Sequence, residues 1–197
     1  MFSFFILGFI LTHVLHITAR KILICDYQLT LPSLPYPFWS NLVGGTLFTI
    51  PILLQSELNI QSILLIALLI TVTITDLYAQ LIPNKFLILF AFPLLFINPN
   101  LIAPLMIFLL FYLSTSIATF LFKKDTLGGG DVKLYLVIAL VLDVKPLLLS
   151  VLLASLLALI YILFLKKEKD APIPFAPFIA IATYSIYLGI LLDTIPL

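Results

Sequence analysis

The chain has 197 residues, of which 63% are hydrophobic and 10% are charged, and its formal net charge is +1. Soluble domains contain roughly 45–50% apolar residues, so the composition excludes a water-soluble globule. It also excludes intrinsic disorder, which requires low hydrophobicity and high charge. The scattered, nearly neutral charge excludes a nucleic-acid partner bound through a basic face, and the single cysteine excludes a disulfide scaffold. We therefore expect an all-α, polytopic helical bundle whose surroundings are the lipid bilayer.

Charged residues, proline and asparagine divide the apolar sequence into eight candidate spans. A spanning helix needs about 20 apolar residues, and the hydrophobic content suffices for about six to eight of them. The spans are predicted to form a single membrane-embedded domain over 1–197, without an internal repeat. They are Phe2–Ala19, Trp39–Gln55, Ile60–Thr75, Phe86–Ile97, Leu101–Phe122, Leu134–Leu142, Leu147–Leu165 and Pro174–Leu192.

The distribution of basic residues predicts the orientation, because short loops rich in Lys and Arg stay in the cytoplasm. The first apolar run has no basic residue before it, unlike a secretory signal, so we expect a retained span with its amino terminus outside. If all eight segments cross, only Lys145 falls outside. Length alone leaves open whether Phe86–Ile97 and Leu134–Leu142 cross fully or fold back. The expected inner-loop residues are Arg20, Lys21, Lys85, Lys123, Lys124, Lys133, Lys166, Lys167 and Lys169.

The longest polar-leaning segment, 20–38, follows the first span. Because it contains Pro32, Pro35 and Pro37, it is predicted to be an irregular cytoplasmic loop.

Two carboxylates stand at the ends of apolar segments. Asp76 ends the run Ile60–Thr75, and Asp131 follows three glycines directly before another apolar segment. The predicted topology places both on the cytoplasmic side. Two carboxyl groups that meet at a low-dielectric boundary cannot both ionise readily, so one keeps a proton while the other acts as a base. Such a pair can activate water for attack on a peptide carbonyl and then protonate the leaving amine.

The glycines Gly128–Gly130 allow backbone conformations with positive φ and the close approach of an extended substrate strand. Each feature alone has a simpler interpretation. A single aspartate at a span end is more commonly a helix cap or an interfacial residue, and three glycines can form a flexible turn. Their occurrence together, on one predicted side of the membrane, favours a functional site.

These residues resemble the motifs of a known family. Asp76, followed by Ile82-Pro83-Asn84, looks like the first motif of the type IV prepilin peptidases. Gly128-x-Gly130-Asp131-x-Lys133-Leu134 looks like the second, the GxGD signature of these membrane aspartyl proteases. The segment 173–180, Ile-Pro-Phe-Ala-Pro-Phe-Ile-Ala, is similar to the Pro-rich segment before the family's last span. The resemblance covers most of the chain from about residue 60 onward.

The resemblance implies an endopeptidase of the bacterial cytoplasmic membrane that removes the basic leader from pilin or competence-pseudopilin precursors at the cytoplasmic face. Asp76 and Asp131 would be its catalytic dyad. Gly128, Gly129, Gly130 and Pro83 would shape the loops or bind substrate. Within a helix Lys133 would not share a face with Asp131, so we assign it to lipid headgroups or loop structure before catalysis. No cofactor is required for this proteolysis.

The chain departs from the family between its first two spans. Many members carry two Cys-x-x-Cys pairs there, suited to zinc, whereas segment 20–38 retains only Cys25, so we expect no metal site in it. Many members also methylate the new amino terminus with S-adenosylmethionine. Nothing in this chain resembles a binding motif for that cofactor, and the short loop argues against the second activity. His13 and His16 share a face of the first span, where packing or a hydrogen bond is a simpler interpretation than a metal pair.

Other functions compete with the peptidase. In a small proton-coupled transporter, Asp76 and Asp131 would form a relay, but such carboxylates usually lie near mid-membrane and often accompany repeated halves. A non-catalytic membrane protein that binds pilin precursors is a further class. Presenilin-like GxGD proteases share the second motif, but their first motif and Pro-Ala-Leu segment are not found in the expected positions. The natural substrate and the oligomeric state are not specified by the sequence.

Overall fold

The computed structural model describes residues 2–30, 38–55, 59–98, 101–122, 128–164 and 173–193. Eight α-helices account for nearly all of these residues. In chain order they are α1 Phe2–Tyr27, α2 Phe38–Gln55, α3 Ile60–Ala79, α4 Asn84–Ile97, α5 Ile102–Phe122, α6 Gly129–Ile138, α7 Val144–Phe164 and α8 Ala176–Leu191. Each candidate span overlaps one helix, so the all-helical prediction is confirmed.

The first helix is longer than predicted. α1 continues past Arg20 and Lys21 to Tyr27, so the first eight residues of the predicted irregular loop are helical. No proline or glycine interrupts this stretch, and Leu23 is fully buried against the neighbouring helices. At 26 residues α1 is about 39 Å long, so it exceeds the roughly 30 Å hydrocarbon core. Several predicted loop residues lie outside the described residues: Pro32, Pro35, Pro37, Lys123, Lys124, Lys166, Lys167 and Lys169.

The sixth helix also differs from its prediction. α6 begins at Gly129, five residues before the predicted Leu134, and its regular part ends at Ile138. The last predicted residues, 139–142, form turns whose N–H groups bond back to the carbonyls of Tyr135, Val137 and Ile138. The glycine-rich motif is therefore the first turn of a helix. With 10 residues, α6 is about 15 Å long, half of the hydrocarbon thickness.

The third helix is the centre of the bundle. α3 packs against α1, α2, α4 and α8, while α7 lies against α8 and α5, and α6 lies against α4 and α5. The side chains of α3 are apolar on several faces, and an apolar helix without a polar face belongs inside a bundle. Its buried residues include Leu65, Ile66, Leu68, Val72 and Asp76.

Polar contacts bring several helix ends together at one end of the bundle. Asp26, near the end of α1, forms a 2.7 Å salt bridge with Lys85 in the first turn of α4. Lys133 in α6 donates to Asn84, the first residue of α4. We call this end of the bundle the motif end, because both sequence motifs lie there. At the far end, the Asn98 amide donates to the Leu140 carbonyl, so α4 and α6 run parallel.

Within the described residues, three helices are long and apolar enough to cross a membrane: Ser3–Tyr27, Ile60–Ala79 and Val144–Phe164. Four shorter helices are also apolar: Ser40–Leu54, Asn84–Ile97, Ile102–Ile117 and Ala176–Leu191. Large apolar side chains such as Phe96, Phe120 and Phe164 are more than three-quarters exposed on the outer surface, where only lipid would solvate them favourably. The chain is thus a helical membrane protein.

Candidate active site

Asp76 is buried in the last turn of α3 and is bonded to the start of α8. Its Oδ2 accepts the backbone N–H of Ala176 at 2.8 Å, and the Phe175 N–H also interacts with it. α3 ends directly afterwards, at Gln80, which has a left-handed φ of 51° and donates its N–H to the Asp76 carbonyl. The carboxylate therefore belongs to a helix end that is fixed by its own cap.

The backbone N–H groups at the start of α8 need a hydrogen-bond acceptor from outside that helix. A helix leaves its first N–H groups without intrahelical partners, and Phe175, at the N-cap position of α8, supplies no side-chain hydrogen bond. Pro177 has no N–H to donate, and Ala176 is fully buried, so water cannot satisfy its amide. Asp76 provides this cap from a helix 100 residues earlier in the chain.

Asp131 lies in the first turn of α6, before the apolar segment Leu134–Leu142. It is only partly exposed. Burial raises the pKa of the Asp131 carboxyl above its ordinary value, and the negative charge of Asp76 raises it further. The structure therefore brings the two predicted aspartates close enough to interact, from separate helices. This is the arrangement in which one carboxyl group keeps a proton beside an ionised neighbour.

The glycines of the second motif provide space for neighbouring groups and have ordinary backbone conformations. No described glycine has a positive φ, so the backbone freedom that glycine allows is not used at Gly128–Gly130. Gly128 is the N-cap of α6 at φ −68° and ψ 118°, and Gly129 and Gly130 are helical. These dihedrals suit any residue. Two of the glycines matter instead because of what lies beside them.

Gly128 and Gly130 leave space for neighbouring groups. A Cβ added at Gly128 would lie 3.0 Å from Asp131 Oδ2, and one at Gly130 would lie 3.3 Å from Ile82 Cβ. At Gly129 no atom of the described residues comes within 4 Å of such a Cβ. Gly128 thus gives the Asp131 carboxylate its room, and Gly130 lets α6 pack closely against the first motif.

The remaining predicted residues join the two motifs. Pro83 is the buried N-cap of α4, and its carbonyl accepts the N–H of Phe86 at 3.1 Å. Lys133 is exposed, and its Nζ donates to Asn84 Oδ1 at 3.1 Å. Pro83 therefore starts the helix that carries Asn84, and Lys133 ties α6 to that helix. Neither the Pro83 contact nor the Lys133 contact involves the carboxylate of Asp76 or Asp131.

The two histidines of α1 contact polar side chains of α3 and α2. Tyr78 Oη and His16 Nε2 are 2.9 Å apart, which ties α1 to the last turn of α3 two residues after Asp76. His13 Nδ1 and Asn41 Nδ2 are 3.0 Å apart. Both histidines thus form hydrogen bonds inside the bundle. Across the described part of the chain, no three His, Cys, Asp or Glu side chains come together as a metal site.

Sequence reasoning missed the Ala176 amide as a partner of Asp76. The signal was indirect, because the prolines around residue 176 predict a helix start but do not say which side chain caps it. The contact depends on the tertiary approach of α8 to α3, which no local pattern encodes.

The fold and the site together define a helical membrane protein with two carboxylates placed for acid–base chemistry. Residues 63–163, about half of the chain, match the family described as the type IV leader peptidase family, and the chain belongs to this family. The matched range contains both Asp76 and Asp131.

The chain is similar to the prepilin leader peptidase/N-methyltransferase of Bacillus subtilis (strain 168). The two are 38% identical over 138 residues, which cover 64% of this chain and 54% of the relative. The chain thus spans about half the length of this curated relative. No solved structure matches it.

Proposed function

We propose that this protein is an aspartic endopeptidase that removes the basic leader from type IV prepilin-like precursors. The observation that carries the proposal is the pairing of Asp76 on α3 with Asp131 on α6 at the motif end. Family membership and the similarity to a prepilin leader peptidase agree with it.

The two aspartates differ in surroundings, and the difference assigns their roles. Asp76 accepts the Ala176 amide at the start of α8, where N–H groups and the helix dipole stabilise a negative charge. Burial and the negative charge of Asp76 favour the neutral, protonated form of Asp131. In this proposal Asp76 is therefore the ionised base and Asp131 carries the proton.

The reaction then uses one water and returns both carboxyl groups to their starting states. Asp76 takes a proton from the water molecule while the water oxygen attacks the scissile carbonyl carbon. At the same time Asp131 donates its proton to the carbonyl oxygen of the substrate. The tetrahedral intermediate collapses as the C–N bond breaks. Asp76 gives its proton to the leaving amine, and the hydroxyl of the intermediate returns a proton to Asp131.

The proposed location is the bacterial cytoplasmic membrane, with the dyad facing the cytoplasm and the amino terminus outside. Arg20, Lys21, Lys85 and Lys133 all belong to helix segments at or near the motif end. Basic residues accumulate on the cytoplasmic side of membrane proteins. The leader would then be cut on the side where the precursor is made.

Proteolysis by this dyad needs no cofactor, because two carboxyl groups and water supply every proton. We do not extend the proposal to methylation with S-adenosylmethionine. The segment 20–38, where many family members carry cysteines for zinc, holds only Cys25, and its side chain is exposed.

The test is co-expression with a full-length prepilin or competence-pseudopilin precursor. Leader loss is followed by gel mobility, and the new amino terminus is identified by mass spectrometry, which also shows whether a methyl group is added. Wild type, Asp76→Asn and Asp131→Asn are compared, with membrane insertion verified for each. Asp26→Asn is the matched control, because Asp26 lies at the same end of the bundle in an exposed pair with Lys85.

Wild type and Asp26→Asn should cleave the precursor, and the two dyad variants should not. Cleavage by either dyad variant at the wild-type rate would remove that aspartate from the mechanism. If wild type leaves several different precursors intact, the transport or binding functions become the better interpretation.

A further inference from the structure

A hydrogen bond joins the middle of α1 to the last turn of α3. Tyr78 Oη and His16 Nε2 are 2.9 Å apart, and the two rings meet edge to face, with centroids 5.6 Å apart and planes at 71°. His16 is buried and Tyr78 is partly buried. The contact therefore combines a hydrogen bond shielded from solvent with a favourable ring geometry. Together they fix the direction of the Tyr78 side chain.

Tyr78 belongs to the same helical turn as Asp76. Successive residues of an α-helix are about 100° apart, so the side chains at positions 76 and 78 leave α3 in directions about 160° apart. Asp76 accordingly reaches α8, where it accepts the Ala176 N–H, while Tyr78 reaches α1. The last turn of α3 is thus held on nearly opposite sides by two other helices.

The end of α3 needs support from outside the helix. Helix ends lack part of their intrahelical hydrogen bonds and fray. Gln80 caps α3 by donating its N–H to the Asp76 carbonyl, but it does so at a φ of 51°. A residue other than glycine keeps this left-handed conformation only where the surrounding structure enforces it. The contact of Tyr78 with His16 provides such support within the same turn.

The first helix is a firm anchor for this contact. His16 lies near the middle of the 26-residue helix α1, and Ala19, three residues later, is fully buried. α1 also packs closely against α2, since a Cβ added at Gly8 would lie 3.2 Å from Gly45 Cα. Such close approach of backbones favours helix association in a membrane. A turn that is bonded to His16 is therefore bonded to a closely packed pair of helices.

We propose that Tyr78 and His16 are positioning residues for the Asp76 carboxylate. Their hydrogen bond fixes the rotation of the last turn of α3, and that rotation sets where Asp76 stands relative to Asp131 and the attacking water. In this role neither side chain needs to touch the substrate. The proposal rests on the proposed function and adds what holds the base in place. A displacement of about 1 Å can cost on the order of a hundredfold in rate, so a small rotation matters.

The first experiment compares kcat and KM for a full-length precursor. Tyr78→Phe removes the hydroxyl and keeps the ring, and His16→Leu replaces the ring nitrogens by an apolar side chain of similar size. Each should lower kcat by about tenfold and leave KM near its wild-type value, because the orientation of the base acts on the chemical step. The double variant should be no slower than either single variant, because both changes remove the same hydrogen bond.

Two further variants separate positioning from a general loss of packing. His16→Gln keeps a donor and an acceptor near the position of Nε2, so kcat should return close to the wild-type value. His13→Leu is the matched control, because His13 lies on the same helix and its Nδ1 is 3.0 Å from the side-chain nitrogen of Asn41 on α2. It should lower the unfolding temperature and leave kcat unchanged.

Thermal unfolding in detergent provides a second experiment that does not depend on cleavage. Asp76→Ala removes the carboxylate that accepts the Ala176 N–H and should lower the unfolding temperature. If Tyr78 orients this carboxylate, the drop should be about half as large in the Tyr78→Phe background, because groups that act through one network are not additive. In the His13→Leu background the drop should equal that in wild type.

Several results would overturn the proposal. One is an unchanged kcat in Tyr78→Phe and His16→Leu, and another is an equal drop from Asp76→Ala in all three backgrounds. A kcat of His16→Gln as low as that of His16→Leu would do the same. So would a loss of kcat in His13→Leu as large as in His16→Leu, because the effect would then follow general packing.

The positioning pair and the proposed function fail separately. Cleavage by wild type with an unchanged kcat in both variants would leave the peptidase and remove the pair. Failure of wild type to cleave several precursors would remove the peptidase. A smaller drop from Asp76→Ala in the Tyr78→Phe background would still show that Tyr78 orients the carboxylate, because unfolding reads that coupling alone.

Discussion

The Asp76 carboxylate caps α8 through the N–H of Ala176, so a residue proposed for catalysis also holds two helices together. The two tasks can be separated by substitution. An asparagine keeps an oxygen that can accept the Ala176 N–H, whereas an alanine leaves that buried amide without its partner.

We therefore predict that Asp76→Asn and Asp76→Ala are both inactive but differ in stability. Leaving a buried donor unsatisfied costs about 1–3 kcal/mol, so Asp76→Ala should unfold at a clearly lower temperature than Asp76→Asn. Thermal unfolding of the purified variants in the same detergent measures this difference. Equal unfolding temperatures would mean that water or another group replaces the cap.

The three adjacent glycines should respond to alanine in graded order. Gly128→Ala places a Cβ against the Asp131 carboxylate and should reduce cleavage most. Gly130→Ala must push α6 from Ile82 by a few tenths of an ångström and should reduce cleavage less. Gly129→Ala meets only open space within the described residues and should retain activity, with a gain of about 0.5–1 kcal/mol because alanine favours a helix.

Cleavage rates and unfolding temperatures of the three alanine variants, measured together, test this order. A loss of activity in Gly129→Ala as large as in Gly128→Ala would show that backbone freedom, and not space, is what the motif requires.

The raised pKa of Asp131 makes stability depend on pH. The folded chain holds this proton more tightly than the unfolded chain, so its contribution to stability is complete below the ordinary carboxyl pKa. The contribution is lost as the pH rises through the raised folded pKa. As the pH rises over that range, the unfolding temperature of wild type should therefore fall relative to that of Asp131→Asn. A difference that stays constant with pH would contradict the prediction.

Removal of the hydrogen bond between Lys133 and Asn84 should have a modest effect on stability and on cleavage. Lys133→Met removes the hydrogen bond that joins α6 to α4. Because the pair is exposed, the loss should be about 1 kcal/mol or less, and cleavage should fall only a few-fold.

Lys85→Met is the matched control, since Lys85 is also exposed and pairs with Asp26 across two helices. It should leave cleavage near wild type, because its partner belongs to neither motif. A larger loss from Lys85→Met than from Lys133→Met would show that the salt bridge of α1 matters more to the site than the link between the motifs.

The sequence predicted the parts of this protein that depend on local pattern. Apolar runs located all eight helices, and the motifs located the two aspartates that the structure brings together. The end of α1 was wrong because basic residues were taken as a helix boundary, although Leu23 still packs inside the bundle. The role of each glycine could not be predicted because it depends on Ile82 and on the Asp131 side chain, which only the folded chain places beside them.

Contacts between distant segments were beyond local reasoning. The bond from Ala176 to Asp76 spans 100 residues, and the bond from Lys133 to Asn84 spans 49. Each requires the packing of whole helices to be known first.

The helices around the dyad are shorter than a bilayer is thick. α4, α6 and α8 have 14, 10 and 16 residues, or about 21, 15 and 24 Å, against roughly 30 Å of hydrocarbon. We expect the lipid on this side to thin to match them, at a cost of a fraction of a kcal/mol per ångström. Thinning would bring headgroups and water closer to Asp131, and hydrolysis by the dyad depends on that supply of water. Acyl-chain length in reconstituted vesicles should therefore set the rate of cleavage, with shorter chains giving the faster enzyme.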